Sequence, residues 1–453
     1  MQDRAALILA AGQGTRMKSE VPKVLHKVGG RAMLDWSIDL ARKSGCRRII
    51  VVVSAGSEAL QDHVTRELGE GSFVIQDPPM GTGHAVQAGE QVLQDFDGDL
   101  IVLYGDCPLI PETAVNDLFS ELASGADLGV LGFEAEEPGA YGRLIQTADG
   151  RLEGIVEAKE ASAEQLTIRL CNSGVMAGAR ELMFDLLSKV TNDNAKGEYY
   201  LTDIVGLANE AGCVCRAVTC DEQDVMGVNS RVELAQAEAV FQAKRRDTFL
   251  REGVTMIAPE TVFFSHDTTI GNDVEIEPNV VFGTGVEVEA GARVRAFSHL
   301  EGAIVRTGAE VGPYARLRPG AEIGEKARIG NFVEVKNTTV GKGAKANHLA
   351  YLGDGSVGAG ANIGAGTIFC NYDGFLKYRT EIGAEAFIGS NSALVAPVSI
   401  GERAIVGSGS VITQNVSDDA LALGRGKQVE KPGWSKGFRE QKQREKSSKR
   451  QEI

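Results

Sequence analysis

No stretch of the sequence stays apolar for anything near the length of a membrane span, so a helical integral membrane protein is excluded. Positive charge is in short supply: 47 Lys and Arg stand against 62 Asp and Glu, a net charge of -15. That balance argues against nucleic acid as a main partner, although residues 434–453 reverse the sign locally. The seven cysteines (Cys46, Cys107, Cys171, Cys213, Cys215, Cys220 and Cys370) are odd in number and scattered, which implies no disulfide framework and a reducing compartment. Cys213 and Cys215 are too close together for the usual zinc pair and read as strand residues. Met1 leads into a strand rather than a signal peptide, so the expected location is the cytoplasm. The length fits about three domains, and a hydrophobic content of 43% is enough for full cores.

What the chain has in quantity is a strict period of six between residues 270 and 416. Ile270, Ile276, Phe282, Val288, Val294 and Leu300 form one run, and Val311, Leu317, Ile323, Ile329 and Val335 a second. Val340, Ala346, Leu352, Val357, Ile363 and Phe369 follow after an adjusting step, and then Ile382, Ile388, Leu394, Ile400, Val406 and Ile412. Six is no multiple of 3.6, so a helix would scatter these residues, whereas an even spacing keeps them on one face of an extended chain. Units of this kind cannot bury an inner face singly and must stack, which predicts a parallel β-helix; a sandwich of short strands rarely keeps so strict a period. Ahead of the repeats, Ser230-Arg231-Val232-Glu233 reads as a capping box opening a linker helix over residues 230–250. The expected organisation is therefore a nucleotide-binding domain over 1–229, the linker helix, the β-helix over 251–433, and a basic, disordered tail over 434–453.

The first domain opens on an unbroken apolar run at residues 5–10, followed by Gly12-Gln13-Gly14-Thr15-Arg16-Met17 and then Pro22-Lys23. A buried strand running into a Gly-rich turn lets backbone N–H groups approach a phosphate, with Arg16 and Lys23 supplying charge; the same turn also reads as a tight strand-to-helix connection. It is neither the dinucleotide fingerprint nor the Walker pattern. Alternating strand and helix signals (33–44, 49–54, 73–76, 100–103) predict a mostly parallel, doubly wound sheet of Rossmann-like α/β class. Gly81-Thr82-Gly83-His84 opens a helix whose free N–H groups suit a base edge or an anion. Asp106, after Tyr104-Gly105, emerges at a strand's carboxyl end, where a carboxylate facing phosphates is a natural Mg²⁺ ligand, or else caps a turn. Gly142, Glu157, Asn172 and Asn229 lie at further strand ends, where polar groups can converge on a sugar, and residues 198–207 read as a helix over the pocket.

Two departures stand out in the repeats: Asn347-His348-Leu349-Ala350-Tyr351, and a loop at 371–379 that interrupts the period. With Arg318 and Lys336 one or two coils before, a histidine, two cations and two amides gather on one flank, and a His suits proton removal from an amine near neutral pH.

These motifs, together with Asn331-Phe332-Val333-Glu334-Val335-Lys336 and Cys370-Asn371-Tyr372-Asp373-Gly374, resemble the bacterial bifunctional N-acetylglucosamine-1-phosphate uridyltransferases/glucosamine-1-phosphate acetyltransferases from residue 5 to about 431. The resemblance implies UTP and acetyl-CoA as co-substrates, Mg²⁺ on Asp106 and Asn229, and a homotrimer of left-handed β-helices. It places UTP and its product on Leu9, Ala10, Ala11, Gly12, Arg16, Lys23, Gln76, Gly81, Thr82, Tyr104, Gly105 and Asp106, with Gly142, Glu157, Asn172 and Asn229 around the sugar. In the repeats it assigns Arg318, Lys336, Tyr351 and Asn362 to glucosamine 1-phosphate, His348 as base with Glu334 orienting it, and Ala365, Asn371, Tyr372, Ser390, Ser408 and Arg425 to acetyl-CoA. Gln13 and Ser408 depart from the family's usual Lys and Ala. Competing expectations are a pyrophosphorylase whose β-helix only oligomerises or regulates, and a non-enzymatic nucleotide sensor.

Overall fold

The computed structural model describes residues 3–194 and 196–451 and divides into two units. The first comprises residues 3–251 and 263–268, and the second the rest. In the first unit the strands order as Cys215–Cys220, Leu128–Glu134, Leu170–Ala179, Asp99–Tyr104, Arg4–Leu9, Cys46–Ser54 and Phe73–Gln76. All neighbours are parallel except Leu170–Ala179, which runs against both its partners. A hairpin of Arg143–Gln146 and Leu152–Val156 attaches to that antiparallel strand. The apolar run at residues 5–10 is continuous because the strand is covered on both sides: Ala6 and Ile8 pack with Leu34, Ile38 and Val115, while Ala5 and Leu7 pack with Val86, Phe184 and Ile204. Helices Met33–Lys43, Glu58–Leu68 and Glu112–Ala123 alternate with the strands.

Two expectations are corrected here. The segment 198–207 is helical only from Asp203–Glu210, because the backbone before it bonds elsewhere: the Tyr199 N–H donates to Met80 O (2.8 Å) and the Leu201 N–H to Thr82 Oγ1 (3.1 Å). Helix Arg231–Arg251 belongs to the first unit rather than standing apart as a linker. Its Phe241 is buried against Trp36 (ring centroids 5.5 Å), and a Cβ at Gly29 would come within 2.5 Å of the Phe241 ring, so only glycine fits there. Gln242 then exchanges two hydrogen bonds with the Phe264 backbone, 2.7 and 2.8 Å long, anchoring the returning segment 263–268.

The second unit stacks the six-residue steps as parallel ladders, and one ladder reads Ile276, Val294, Val311, Ile329, Ala346, Ile363, Ile388, Val406, Ala422. The long step from Ile363 to Ile388 is where the loop at 371–379 leaves the prism. The inward aliphatics named by the period, from Ile276 to Ile412, are buried. Corners fall at residues in the left-handed φ region. One row runs Phe297, Tyr314, Phe332, Leu349 (φ 50 to 61°), the next Gly302, Gly320, Asn337, Asp354, and a third Lys326, Glu385, Arg403, Asp419. Bulky side chains rarely adopt this φ; here each corner is fastened to the coil beneath, as by the Phe332 N–H donating to Tyr314 O (3.0 Å), and the rings of Phe297, Tyr314 and Phe332 stack at 4.9 and 5.2 Å. The tail is not disordered as expected: Trp434–Gln451 is a helix, exposed where its side chains are described, with Trp434 stacked on Phe438 (5.1 Å) and Lys442 paired to Glu445 (2.7 Å). Among the described residues no helix is long and apolar enough to cross a membrane.

Candidate active sites

In the first unit the strand Arg4–Leu9 delivers the loop 10–14 between its two neighbours. Gly14 has φ 60°, and a Cβ there would lie 2.7 Å from Lys23 Cβ; a Cβ at Gly12 would lie 3.7 Å from Lys23 Nζ. Gly14 therefore lets the backbone close on Lys23, whereas a Cβ at Gly12 would make only ordinary contact. Lys23, with 10% of its side chain exposed, sets its ammonium 2.5 Å from Asp106 Oδ2 and 2.9 Å from Asn229 Oδ1. The three side chains come from distant parts of the chain and are fixed by backbone: the Gly105 N–H donates to Leu9 O (3.0 Å) and the Val228 N–H to Asp106 O (2.9 Å). Leu9 and the first two residues of the loop, Ala10 and Ala11, are buried, and Arg16 is exposed.

The turn at Gly81 differs from its expected form. Gly81 sits at φ 102° with Tyr199 O 2.5 Å from where a Cβ would be, and the Gly83 N–H donates to Tyr199 O (2.8 Å). Helix Thr82–Gln87 thus does not offer the Gly83 N–H to a ligand, and Thr82 Oγ1 is engaged by Leu201. Gln76 is buried, its Nε2 donating to Gly81 O (2.9 Å) and lying 3.3 Å from His84 Nδ1. His84 is a packing partner, as its helical context suggests.

Around Tyr104 the strand ends do converge. A Cβ at Gly174 would touch the Tyr104 ring at 2.7 Å, Asn172 Oδ1 accepts from the Gly174 N–H (2.9 Å), and the Asn172 N–H donates to Gly142 O (2.9 Å). A Cβ at Gly142 would lie 3.6 Å from Glu157 Oε1. Burial pushes the Glu157 carboxyl above its usual pKa, against the pull of Lys196. Arg143 is buried and turns back on its own loop, donating to the carbonyls of Tyr141 and Gly139, so it does not face the pocket.

In the second unit the expected cluster divides between two neighbouring edges of the prism. At one edge Arg318 pairs with Glu334 (2.8 Å), and Lys336 lies 3.6 Å from Asp354. Asp354 also accepts from Asn337 Nδ2 (2.8 Å) and Asn371 Nδ2 (2.5 Å). Tyr351 crosses the face between the edges, its hydroxyl over Gly353. At the other edge His348 Nδ1 meets Asn331 Oδ1 at 2.7 Å. Glu334 is thus not the partner of His348: it is one face away, held by Arg318, and Asn331 one coil below is what touches the imidazole. Four residues, Ala350 to Gly353, separate the corner residues Leu349 and Asp354, a span of about 17 Å at strand rise.

Ala365, Ser390 and Ser408 occupy the row of His348, each on the next coil. The Gly366 N–H donates to Leu349 O (3.1 Å), the Asn391 N–H to Ala365 O (2.7 Å) and the Gly409 N–H to Ser390 O (2.8 Å), while Arg425 Nη1 donates to Ser408 O (2.9 Å). Asn362 belongs to the strand row that runs into this edge, so one chain does not bring it to Arg318, Lys336 and Tyr351. Asn371 is buried, whereas Tyr372 is exposed with its hydroxyl on Gly374 O (2.6 Å).

One residue escaped the sequence reading. Lys377, in the interrupting loop, stands near enough to Lys336 for that ammonium to pull the Lys377 pKa below its ordinary value, against the opposing charge of Asp354. Two ammonium groups and a guanidinium thus gather near one another beside the carboxylates of Glu334 and Asp354, an arrangement that suits an anion. The signal was the cation inside the loop that breaks the period.

Residues 6–193 match the MobA-like NTP transferase domain, and residues 267–302 and 379–414 match the bacterial transferase hexapeptide (six repeats). Over 447 residues the chain is 61% identical to the bifunctional protein GlmU of Hyphomonas neptunium, covering 99% of this chain and 97% of that one. It is 57% identical to the Caulobacter vibrioides bifunctional protein GlmU (99% and 97% covered) and 51% to that of Sphingopyxis alaskensis (98% of each). With both domain matches in one chain and near full-length relatives at this identity, the chain belongs to the bifunctional GlmU family, in which a nucleotidyltransferase and a hexapeptide-repeat acetyltransferase share one polypeptide.

Proposed function

We propose that the repeat unit acetylates glucosamine 1-phosphate with acetyl-CoA and that the first unit then joins N-acetylglucosamine 1-phosphate to UMP from UTP, releasing pyrophosphate. The observation that carries this reading is the presence of two polar clusters of different chemistry in one chain: Lys23–Asp106–Asn229, and His348–Asn331 one face away from the Arg318–Lys336–Lys377 edge.

For acetyl transfer, the phosphate rests on Arg318, Lys336 and Lys377, and the sugar spans the Tyr351 face toward His348. Because Asn331 Oδ1 accepts, Nδ1 carries the ring proton and Nε2 keeps its lone pair. Nε2 takes a proton from the amine as nitrogen attacks the thioester carbonyl, and the coenzyme A sulfur leaves. The row of Ala365, Ser390 and Ser408 gives the thioester arm a small-residue edge about 14 Å long, ending at Arg425 for a phosphate. Asn362 lies on the neighbouring strand row, and Phe297, Tyr314 and Phe332 form an exposed aromatic edge. Both support a homotrimer in which a second copy supplies Asn362 and covers that edge.

For uridylyl transfer, the loop 10–14, Arg16 and Lys23 hold the phosphates, Gln76, Gly81 and Thr82 the uracil, and Tyr104, Gly105, Gly142, Glu157, Asn172 and Asn229 the sugar. The sugar-phosphate oxygen attacks the α-phosphorus in line as the bond to the pyrophosphate oxygen breaks; positioning and charge neutralisation suffice. Asp106 and Asn229 fit Mg²⁺, since their oxygens already converge on one cationic centre, the Lys23 ammonium. Among the described residues no three His, Cys, Asp or Glu side chains gather as a metal cage, and Mg²⁺ needs only one or two protein oxygens beside phosphates and water. When bound it neutralises phosphate charge. A cytoplasmic location suits the seven free cysteines.

The test is to supply the purified chain with glucosamine 1-phosphate, acetyl-CoA, UTP and Mg²⁺ and to weigh the products. UDP-N-acetylglucosamine is expected; UDP-glucosamine, or acetylation without uridylyl transfer, would reject the two-step reading.

A further inference from the structure

We infer that the first turn of helix Arg231–Arg251 is a latch that positions the nucleotide loop, with Glu233 acting through Asn229 and Arg231 acting through Met17 and His26; this rests on the uridylyl-transfer reading. Asn229 lies in the irregular segment 225–230, where nothing repetitive holds a side chain in place. Its aim at Lys23 is fixed from two sides. The preceding Val228 N–H donates to Asp106 O (2.9 Å), and the Asn229 N–H donates to Glu233 Oε2 (2.7 Å). The second bond ends on a carboxylate and is the stronger kind. The capping-box pattern forecast a Glu233 side chain returning to the Ser230 N–H. Ser230 Oγ does accept from the Glu233 N–H (3.3 Å), but the carboxylate reaches one residue further back and seizes Asn229. A helix cap has thereby become the support of a substrate-facing amide.

Arg231 reaches the loop from the same turn. Its Nε donates to Met17 O (3.3 Å), and Nη1 lies 3.3 Å from His26 Nδ1. Met17 ends the short helix after Gly14 and immediately precedes Lys18, whose φ of 48° is unusual for a side-chain-bearing residue. His26 closes the turn that carries Lys23, through its N–H to Lys23 O (3.2 Å). Burial and then the Arg231 charge push the imidazole below its ordinary pKa, which keeps it neutral and able to accept from Arg231. One arginine therefore ties both ends of the exposed segment 18–22, between the phosphate loop and Lys23. Neither Glu233 nor Arg231 touches a reacting atom in this scheme; they are positioning residues, and supports of this kind are commonly worth about 10-fold or more in rate.

The experiment compares Glu233→Ala, Glu233→Gln and Arg231→Ala in the full chain by kcat and KM for uridylyl transfer, by acetyl transfer, and by hydrogen exchange at the Asn229 amide. Glu233→Ala is expected to lower kcat by about 10-fold and to speed exchange at Asn229, with acetyl transfer unchanged. Glu233→Gln keeps a carbonyl acceptor and is expected to restore both the rate and the protection. Arg231→Ala is expected to raise KM for UTP more than it lowers kcat, with Asn229 still protected. Equal rates for Glu233→Ala and the wild type, or a Gln variant as impaired as the Ala variant, would overturn the latch. A wild-type chain with no uridylyl transfer would instead overturn the functional reading on which it stands.

Discussion

Asn331 Oδ1 and His348 Nδ1 are 2.7 Å apart because their strands are in register one coil apart, Asn331 opposite His348. In the proposed acetyl transfer the pairing favours the tautomer that leaves the Nε2 lone pair free to act as base. His348→Ala is expected to lower acetyl transfer by about 10² to 10⁴, the range of a general base, and to leave uridylyl transfer intact. Asn331→Leu removes only the acceptor and should cost part of that loss, shifting the pH–rate profile because the ring can then take either tautomer. Steady-state assays of both activities on the same preparation check both variants, and an Asn331→Leu profile matching the wild type would remove Asn331 from the scheme.

Asp106→Ala is expected to do the reverse of His348→Ala: uridylyl transfer is lost and acetyl transfer kept. Lys23 is then left without its 2.5 Å carboxylate partner, and Asn229 alone cannot supply the missing charge. If both substitutions impair the same step, the two sites are not independent.

The period of six was legible because every coil repeats the same burial, so Ile276, Val294 and Val311 report one face without knowledge of any partner. Asn331 was legible as part of a motif but not as the partner of His348, since that pairing depends on a coil of 17 residues at this point in the stack. Glu334 as the residue orienting His348 came from the family resemblance; in this structure register sets Glu334 against Arg318. The tail looked disordered on composition, yet pairs such as Lys442 and Glu445 form along one helical face. The segment at 198–207 read as helix by local propensity, and its first residues were taken by the backbone of the Gly81 turn, a tertiary preference that local sequence does not display.

Asp354 collects two amide donors and two nearby ammonium groups around a buried carboxylate. Burial alone would raise its pKa, but hydrogen bonds from Asn337 and Asn371 and the charges of Lys336 and Lys377 outweigh it and hold the group below the usual carboxylate range. A carboxyl depressed in the folded state contributes stability above its unfolded pKa and loses it as pH falls through the folded value. The loop at 371–379, tied through Asn371, should therefore stay ordered at pH 5 and loosen only below about pH 4. Asp354→Ala should loosen it at neutral pH, leaving the buried Asn371 amide unsatisfied at about 1–3 kcal/mol. Proteolysis at the exposed Phe375 and Leu376 across pH reads this directly; cleavage already rapid at pH 5 in the wild type would refute it.

Lys377 offers the sharpest separation of binding from chemistry. Its ammonium lies near Lys336 and Arg318, whose like charges Asp354 and Glu334 offset only in part, and it is at the edge neighbouring that of His348. A group that meets the phosphate throughout the reaction binds substrate and transition state alike, so its removal raises KM and leaves kcat nearly unchanged. Lys377→Ala is thus expected to raise KM for glucosamine 1-phosphate, with KM for acetyl-CoA and the uridylyl reaction unaffected. Because the variant also relieves the repulsion, its Lys336 should be less responsive to salt, and inorganic phosphate should inhibit it more weakly than the wild type. A fall in kcat at constant KM would place Lys377 at the reacting amine instead, and the substrate would then lie the other way across the Tyr351 face.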